Sequence, residues 1–348
     1  MKKEKELELS NYWDDFQIRV NETIDALKEK KLPQLQRLTV HLTESCNMKC
    51  GYCNFRFNKN EMKKELVIKI IDDFVDMNGR IIHFTGGEPT IVSYFEDICK
   101  YAKEKGLTVS SNTNALKKIN TKYIDKLKLS FDTCDLEDFN KMVGVNSFDK
   151  VVSNIKEYSN EMKDKMLSIT AVLNKNTYKN MESLVKFVEE NFDVYNLYFS
   201  NYKGNNKDYA FEDYMIKDMF DNYIPKVLDY FEKTNNRYSK RQLELYKFED
   251  FVNKEARFEV NKKIPCTIQL SELTIDINGI VYNCSHLYRD FVKPKEKIDV
   301  NKIHLSKAFL LSKESLNNKY VCIDKKCLSG CNTNLIGFNK TVFMKKYI

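Results

Sequence analysis

The residues best suited to chemistry lie in the stretch Cys46-Asn-Met-Lys-Cys50-Gly-Tyr-Cys53, which sets three thiols at positions 1, 5 and 8 of one short segment. Cysteine is often a small buried hydrophobe. Here Asn, Met, Lys, Gly and Tyr between the thiols keep neither strand nor helix period, so packing does not account for the group. Thiols clustered on a loop, in a chain with no visible secretory signal, read first as a metal site. Structural zinc and iron–sulfur clusters both want four protein ligands. Three thiols leave one metal vertex open, so this site is expected to bind something else.

A second group closes the chain: Cys266, Cys284, Cys322, Cys327 and Cys331. Of the other two cysteines, Cys99 reads as a packed helix residue, and Cys134 follows a strand end and goes either way. Disulfides are a poor explanation for thiols in a chain assigned by default to the cytoplasm. That default rests on a charged N-terminus with no apolar run behind it and on apolar stretches far too short to cross a bilayer. Hydrophobic residues at 42% and charged residues at 31% are ordinary for a globular protein. The net charge of +7 is spread among alternating Lys and Glu, so a solvated surface is favoured over nucleic-acid or membrane binding.

The elements that must position the first thiols repeat. Residues 11–31 carry an amphipathic helix, with Phe16, Val20, Ile24 and Leu27 at helical spacing, ended by Pro33. A strand over 36–42 leads into the cysteine loop, and a helix over 61–78 is closed by Asn78-Gly79. Strand 81–84 runs into Thr85-Gly-Gly-Glu-Pro-Thr90, followed by a helix at about 92–104. Strand 107–111 runs into Asn112-Thr-Asn-Ala115, and a short helix is expected around Lys122. Strand 126–131, a helix over 148–159, strand 166–173, a helix over 178–191 and strand 194–199 complete the series.

This alternation makes an α/β fold with a parallel sheet and helices outside. A full eight-unit barrel takes about 250 residues, so the span suits a partial (β/α)6 barrel; an open doubly wound sheet is the alternative. In both, chemistry collects at the strands' C-terminal ends. One mouth should therefore hold the cysteine loop, Gly86-Gly-Glu88, Thr113-Asn114, Ser130–Asp132, Asn174, Asn176 and Asn201. The expected division is an N-terminal helix (1–35), the barrel core (36–205), a helical linker closing the barrel side (206–255) and a small β-hairpin, loop-rich module (256–348). In the linker, Tyr214, Met219, Phe220, Tyr223, Val227, Tyr230 and Phe231 read as packing residues. In the last module Asn278-Gly279 signals a hairpin, and so little core calls for a metal to hold it.

Cys46-x3-Cys50-x2-Cys53 with Tyr52 on the first strand's loop, and Gly86-Gly-Glu-Pro on the second, resembles the radical S-adenosylmethionine (radical SAM) superfamily over about residues 36–205. The resemblance implies a [4Fe–4S] cluster on the three thiolates, its fourth iron chelated by S-adenosylmethionine. A reduced cluster would cleave that sulfonium to a 5′-deoxyadenosyl radical that abstracts a substrate hydrogen. Gly86 and Gly87 would let backbone approach the ligand, and Glu88 would balance its ammonium. Tyr52 would lie near the adenine. Asn114 matches the family's Thr-Asn-Gly, with Ala115 in place of the usual Gly, and Ser130 matches its Ser-Leu-Asp and would touch ribose or carboxylate. Asn176 is a further cofactor-binding candidate. No pattern marks a catalytic acid or base.

The C-terminal cysteines resemble the auxiliary-cluster extension called SPASM, or its shorter twitch form. Two clusters of four thiolates each need more than the five cysteines present. One auxiliary [4Fe–4S] cluster is expected, on Cys266, Cys284 and two of Cys322, Cys327 and Cys331; a structural zinc site on four of these thiols, with or without His286, is the alternative. Relatives with such extensions act on ribosomally made peptides or on small molecules such as sugars and aminocyclitols. The resemblance implies a peptide maturase, with a small-molecule dehydrogenase or rearrangement enzyme as the alternative and a non-enzymatic metal-binding module disfavoured because it leaves Gly86-Gly-Glu88 unexplained. Its partners would be an electron donor such as flavodoxin or ferredoxin and, for a peptide, a separate leader-binding protein.

Overall fold

A computed structural model describes residues 18–314 except 27, 30, 54–58, 203–205, 235–267, 286–287, 289–293 and 295. The expected strands form as β1 (Arg37–Thr43), β2 (Ile81–Gly86), β3 (Thr108–Thr113), β4 (Lys126–Ser130), β5 (Met166–Leu173) and β6 (Asn196–Asn201). Each pairs in parallel with the next, giving the partial barrel expected from the repeat. Two further strands, β7 (Glu272–Ile275) and β8 (Val281–Tyr282), extend the same sheet past β1, in the order β6-β5-β4-β3-β2-β1-β7-β8. The β7–β8 pair is the predicted hairpin, with Gly279 left-handed at φ 84° and the Asp276 carboxylate accepting from the N–H groups of Asn278 and Ile280. Its first strand is also a parallel neighbour of β1, with Arg37 opposite Glu272.

Alternation along the strands sorts the two faces. Leu38, Val40, Leu42, Ile82, Phe84, Leu127, Leu129, Ile169, Leu197 and Phe199 are all buried under the outer helices. Those helices are α1 (residues 18–26), α2 (Lys64–Asp76), α3 (Phe95–Glu104), α4 (Leu136–Val143), α5 (Phe148–Glu161) and α6 (Met181–Asn191), with α7 (Asp213–Asp218), α8 (Ile224–Thr234) and α9 (Leu305–Glu314) after β6 and β8. Cys99 is buried on α3, as its sequence context suggested. In the linker, Met219, Val227 and Phe231 pack inward, whereas Tyr214, expected to pack, is 63% exposed.

Two local expectations change. No helix forms around Lys122: residues 114–125 are turns and irregular chain. There the Asn120 side chain accepts from the Lys122 N–H, and the Lys165 ammonium donates to the carbonyls of Thr121 and Lys122, so the backbone is satisfied without a helical ladder. Conversely, α4 was not foreseen. It is capped at its start by the Asp135 carboxylate, which accepts from the Asp138 N–H at 2.8 Å, and ended by Gly144 at φ 67°. Phe131, just past β4, anchors it among the rings of Phe139, Phe148, Phe187 and Phe192, with centroids 5.4–6.0 Å away.

Candidate functional site

The loop after β1 is held from three sides. On the β2 side, the N–H groups of Gly87 and Glu88 donate to the carbonyls of Thr43 (2.7 Å) and Ser45 (2.8 Å). On the α4 side, the N–H groups of Lys49 and Gly51 donate to the carbonyls of Val143 (2.8 Å) and Met142 (3.1 Å). From the loop after β6, the Asn206 side chain donates to the Gly51 carbonyl at 3.2 Å, and Tyr209 packs over Gly51 so closely that a Cβ there would meet its hydroxyl at 2.0 Å.

The paired glycines of Gly86-Gly-Glu88 are explained by the same closeness. A Cβ on Gly86 would lie 2.2 Å from the Thr43 carbonyl, and one on Gly87 would lie 2.2 Å from that of Ser45. Gly86 also sits at φ 146°, a conformation L side chains rarely adopt. The close neighbour is thus the chain's own cysteine loop, in addition to whatever ligand the mouth receives.

Cys46, Cys50 and Cys53 are half-buried and near enough to one another that their charges interact. Burial pushes the Cys46 thiol up to about 11, and burial with the Asp132 charge pushes Cys50 up further. Such thiols ionise when a cation compensates them. The Met48 N–H points at the Cys46 sulfur from 3.4 Å, and the Asn114 amide from 3.7 Å. Sulfur ligands accepting such hydrogen bonds fit an iron–sulfur cluster, where they help set its potential. Among the described residues no three His, Cys, Asp or Glu side chains converge on one metal ion.

Glu88 is buried, and burial raises its pKa. Its Oε1 accepts from the Thr90 N–H, the Thr90 hydroxyl (2.6 Å) and the Thr113 hydroxyl (2.8 Å), while Oε2 accepts from the Asn114 N–H at 2.7 Å. Oε2 therefore keeps the lone pair with which an ammonium could be met. Asn114 also donates to Asn47 Oδ1 at 2.7 Å, so it ties the loop after β3 to the cysteine loop. The next residue, Ala115, is buried at φ 60°, which explains why glycine is usual there.

Tyr52 donates its hydroxyl to Asp132 Oδ2, and its ring meets those of Tyr209 (5.6 Å) and Tyr202 (6.3 Å) edge-on. Burial raises Asp132 to about 6, although Tyr52 and the Val172 N–H stabilise its charge. Ser130 is exposed at the end of β4. Asn176 is exposed too, and its amide donates to the Asp208 carbonyl at 3.0 Å. Cys284 is half-buried just past β8, while Cys266, Cys322, Cys327 and Cys331 lie outside the described residues. Sequence reasoning missed the anchoring by α4, Asn206 and Tyr209. Asp135 and Gly144, flanking α4, were the available signal for the first.

The sequence profile of the Radical SAM superfamily matches residues 40–188, from β1 into α6. Residues 40–188 are a radical SAM domain. In such a domain the cofactors are a [4Fe–4S] cluster and S-adenosylmethionine, and the three thiols, Gly87, Glu88 and Asn114 fit them in the respects just described. An S-adenosylmethionine-dependent nucleotide dehydratase of Flammeovirga pacifica is 30% identical over 157 residues, 38% of this chain and 54% of that protein. A probable GTP 3′,8-cyclase of Saccharolobus islandicus is 30% identical over 168 residues, 44% of this chain and 52% of that protein. The chain thus spans about half the length of the curated relatives it matches.

Solved radical SAM structures share the fold. SuiB of Streptococcus suis bound to S-adenosylmethionine has a TM-score of 0.62 at 18% identity, covering 90% of this chain and 74% of that one. The enzyme anSMEcpe with bound AdoMet has a TM-score of 0.58 at 17% identity, covering 90% and 96%. Among the described residues no helix is long and apolar enough to cross a membrane.

Proposed function

We propose that this radical SAM enzyme modifies a ribosomally made peptide by hydrogen abstraction, leading to a crosslink, an epimerisation or an oxidation. The observation that carries the radical chemistry is the convergence on one mouth of Cys46, Cys50 and Cys53 with Glu88 and Asn114, tied together by the Asn114 contacts to Cys46, Asn47 and Glu88. When bound and reduced, the cluster and S-adenosylmethionine supply a 5′-deoxyadenosyl radical. The chain's own part is to hold, orient and shield. The three thiolates are to hold the cluster, Gly87 and Glu88 to face the amino acid end of S-adenosylmethionine, and Tyr52 its adenine. Ser130 at the β4 end and Asn176 after β5 line the same mouth as further cofactor contacts. An auxiliary cluster on Cys266, Cys284 and two of Cys322, Cys327 and Cys331 would conduct electrons or hold substrate.

Support for a peptide comes from the fold likeness to SuiB bound to its precursor peptide SuiA, which spans 90% of this chain at a TM-score of 0.63. A small-molecule substrate is favoured instead by the named relatives, a nucleotide dehydratase and a GTP cyclase. The test is anaerobic turnover with dithionite, S-adenosylmethionine and synthetic peptides encoded by the open reading frames beside the gene. A change in peptide mass alongside 5′-deoxyadenosine is expected. Hydrogen loss or gain in a nucleotide or sugar, with every peptide unchanged, would overturn the peptide reading.

A further inference from the structure

The inward face of the barrel carries an unusual balance of charge. Because side chains alternate along a strand, the residues opposite the buried apolar set face inward. They are Arg37, Thr39, His41 and Thr43 on β1, His83 and Thr85 on β2, and Ser110 and Asn112 on β3. Lys126, Lys128 and Ser130 follow on β4, Ser168 and Thr170 on β5, and Asn196, Tyr198 and Ser200 on β6. Three cations and two imidazoles stand there, and these six inward faces contain no Asp or Glu. On β7, Glu272 is in register with Arg37, but it is engaged by Arg19 of α1 at 3.0 Å.

Two of these cations, Arg37 and Lys128, act on one another. Burial first, and then the charges of Arg37 and Lys128, hold His83 well below the usual imidazole range, while burial and Arg37 bring the Lys128 ammonium down to about 8. Among the described residues neither Arg37 nor Lys128 makes an ion pair; the Lys128 ammonium stands 5.8 Å over the Tyr198 ring. Lys128 is half-buried on the inward face of β4.

Nearby polar atoms are left without partners. Among the described residues, Arg37 Nε, Asn112 Oδ1 and Thr170 Oγ1 are buried and find no hydrogen-bond partner. Register places Lys128 directly between Asn112 and Ser168, and Thr170 beside Ser130, one step nearer the mouth. Buried polar atoms are normally paired, and unpaired buried cations are costly. Such a set persists where a ligand completes it.

We propose that Arg37 and Lys128, with His83 on the same inward face, form a subsite inside the barrel for an oxyanionic group, phosphate or carboxylate, of the substrate. The proposal rests on the radical reading above and takes the substrate to reach into the barrel to meet that radical. It deepens that reading by naming what anchors the substrate below the reacting carbon. Arg37 offers its planar fork to two oxygens at once, and Lys128 adds a point charge from β4. A nucleotide's phosphates and a peptide's acidic side chain share this chemistry.

The test is equilibrium dialysis of the anaerobically reconstituted protein against two probes, inorganic pyrophosphate and a triglutamate peptide. One saturable site is expected for at least one probe, weakened about tenfold or more by Lys128→Met and by Arg37→Gln and unchanged by Lys141→Met on the exposed face of α4. Tighter pyrophosphate binding assigns a phosphate, and tighter peptide binding assigns a carboxylate. Removing an unpaired buried cation should not harm folding, so Lys128→Met remains informative if Arg37→Gln fails to fold. Saturation by neither probe, or wild-type affinity in Lys128→Met, overturns the subsite. Formation of 5′-deoxyadenosine by the wild-type protein is scored separately. Its absence with the anion bound would sink the radical reading alone, and its presence without anion binding would sink the subsite alone.

Discussion

Cys50 is the middle thiol of the loop, interacts electrostatically with both other thiols and is more buried than Cys46. Cys50→Ala leaves two thiolates for a cluster that uses three, so 5′-deoxyadenosine formation from S-adenosylmethionine should fall to background; chromatographic detection of normal turnover would refute the assignment. Lys128 offers a second test, on stability. Its ammonium carries a proton in the unfolded chain up to the ordinary value of 10.5 but in the folded chain only up to about 8. Between those values the unfolded chain binds more protons, so stability rises with pH, and below about 8 the penalty is fully present. With partial exposure of the side chain reducing the effect, we expect ~1–2 kcal/mol. Denaturant melts at neutral pH and near the upper end of that window should show the rise in wild type. Lys128→Met should lack it and be the more stable at pH 7. That residue was legible only as a lysine in a strand; its depth and its missing counter-charge were not.

At the scale of elements, the cysteine loop is shaped by what packs against it. Gly87→Ala places a Cβ 2.2 Å from the Ser45 carbonyl and 2.7 Å from its carbon, so backbone must shift next to Cys46. A cost of about 1–3 kcal/mol is expected, with less iron retained per chain by colorimetric assay; an unchanged melt would show that the loop yields freely. The last turn of α4 holds the other side through the Val143 and Met142 carbonyls, and Gly144 ends it at φ 67° with Lys49 atoms 3.1 Å from where a Cβ would sit. Gly144→Ala should cost about 1–2 kcal/mol and speed the loss of iron to a chelator, whereas Gly106→Ala, equally left-handed at φ 87° but with open space around it, should cost only the backbone strain. The period of the chain revealed every strand of the barrel and most helices. It did not reveal α4, whose eight residues include an exposed Leu136 and give too short a pattern, nor the turns at 114–125, where side chains from α5 and from the turn just before β5 satisfy the backbone.

At the scale of the whole molecule, Cys284 follows a hairpin whose strand β7 pairs with β1, the strand that leads into the cysteine loop. Helix α9 is tied to the same body by the buried Asp73 of α2, which accepts from the Leu305 N–H at 2.9 Å. If the second group holds an auxiliary cluster, Cys266→Ala should leave S-adenosylmethionine cleavage intact, lower iron per chain and impair product formation; full product yield would show that group to be structural or empty. By itself the sequence carried the residues on which the proposed chemistry rests: the three thiols and their spacing, the carboxylate of Glu88 behind two glycines, and a repeat whose strand ends share one mouth. Those are local facts, carried by residue type and by periods of 2 and 3.6. Only the tertiary structure decided who the neighbours are. The glycines are needed because the cysteine loop's own backbone lies against them. The hairpin belongs to the barrel's sheet, and Arg37 and Lys128, from strands three places apart, share one uncompensated interior. Sheet curvature and long-range register set those meetings, and neither leaves a signature in any local stretch of sequence.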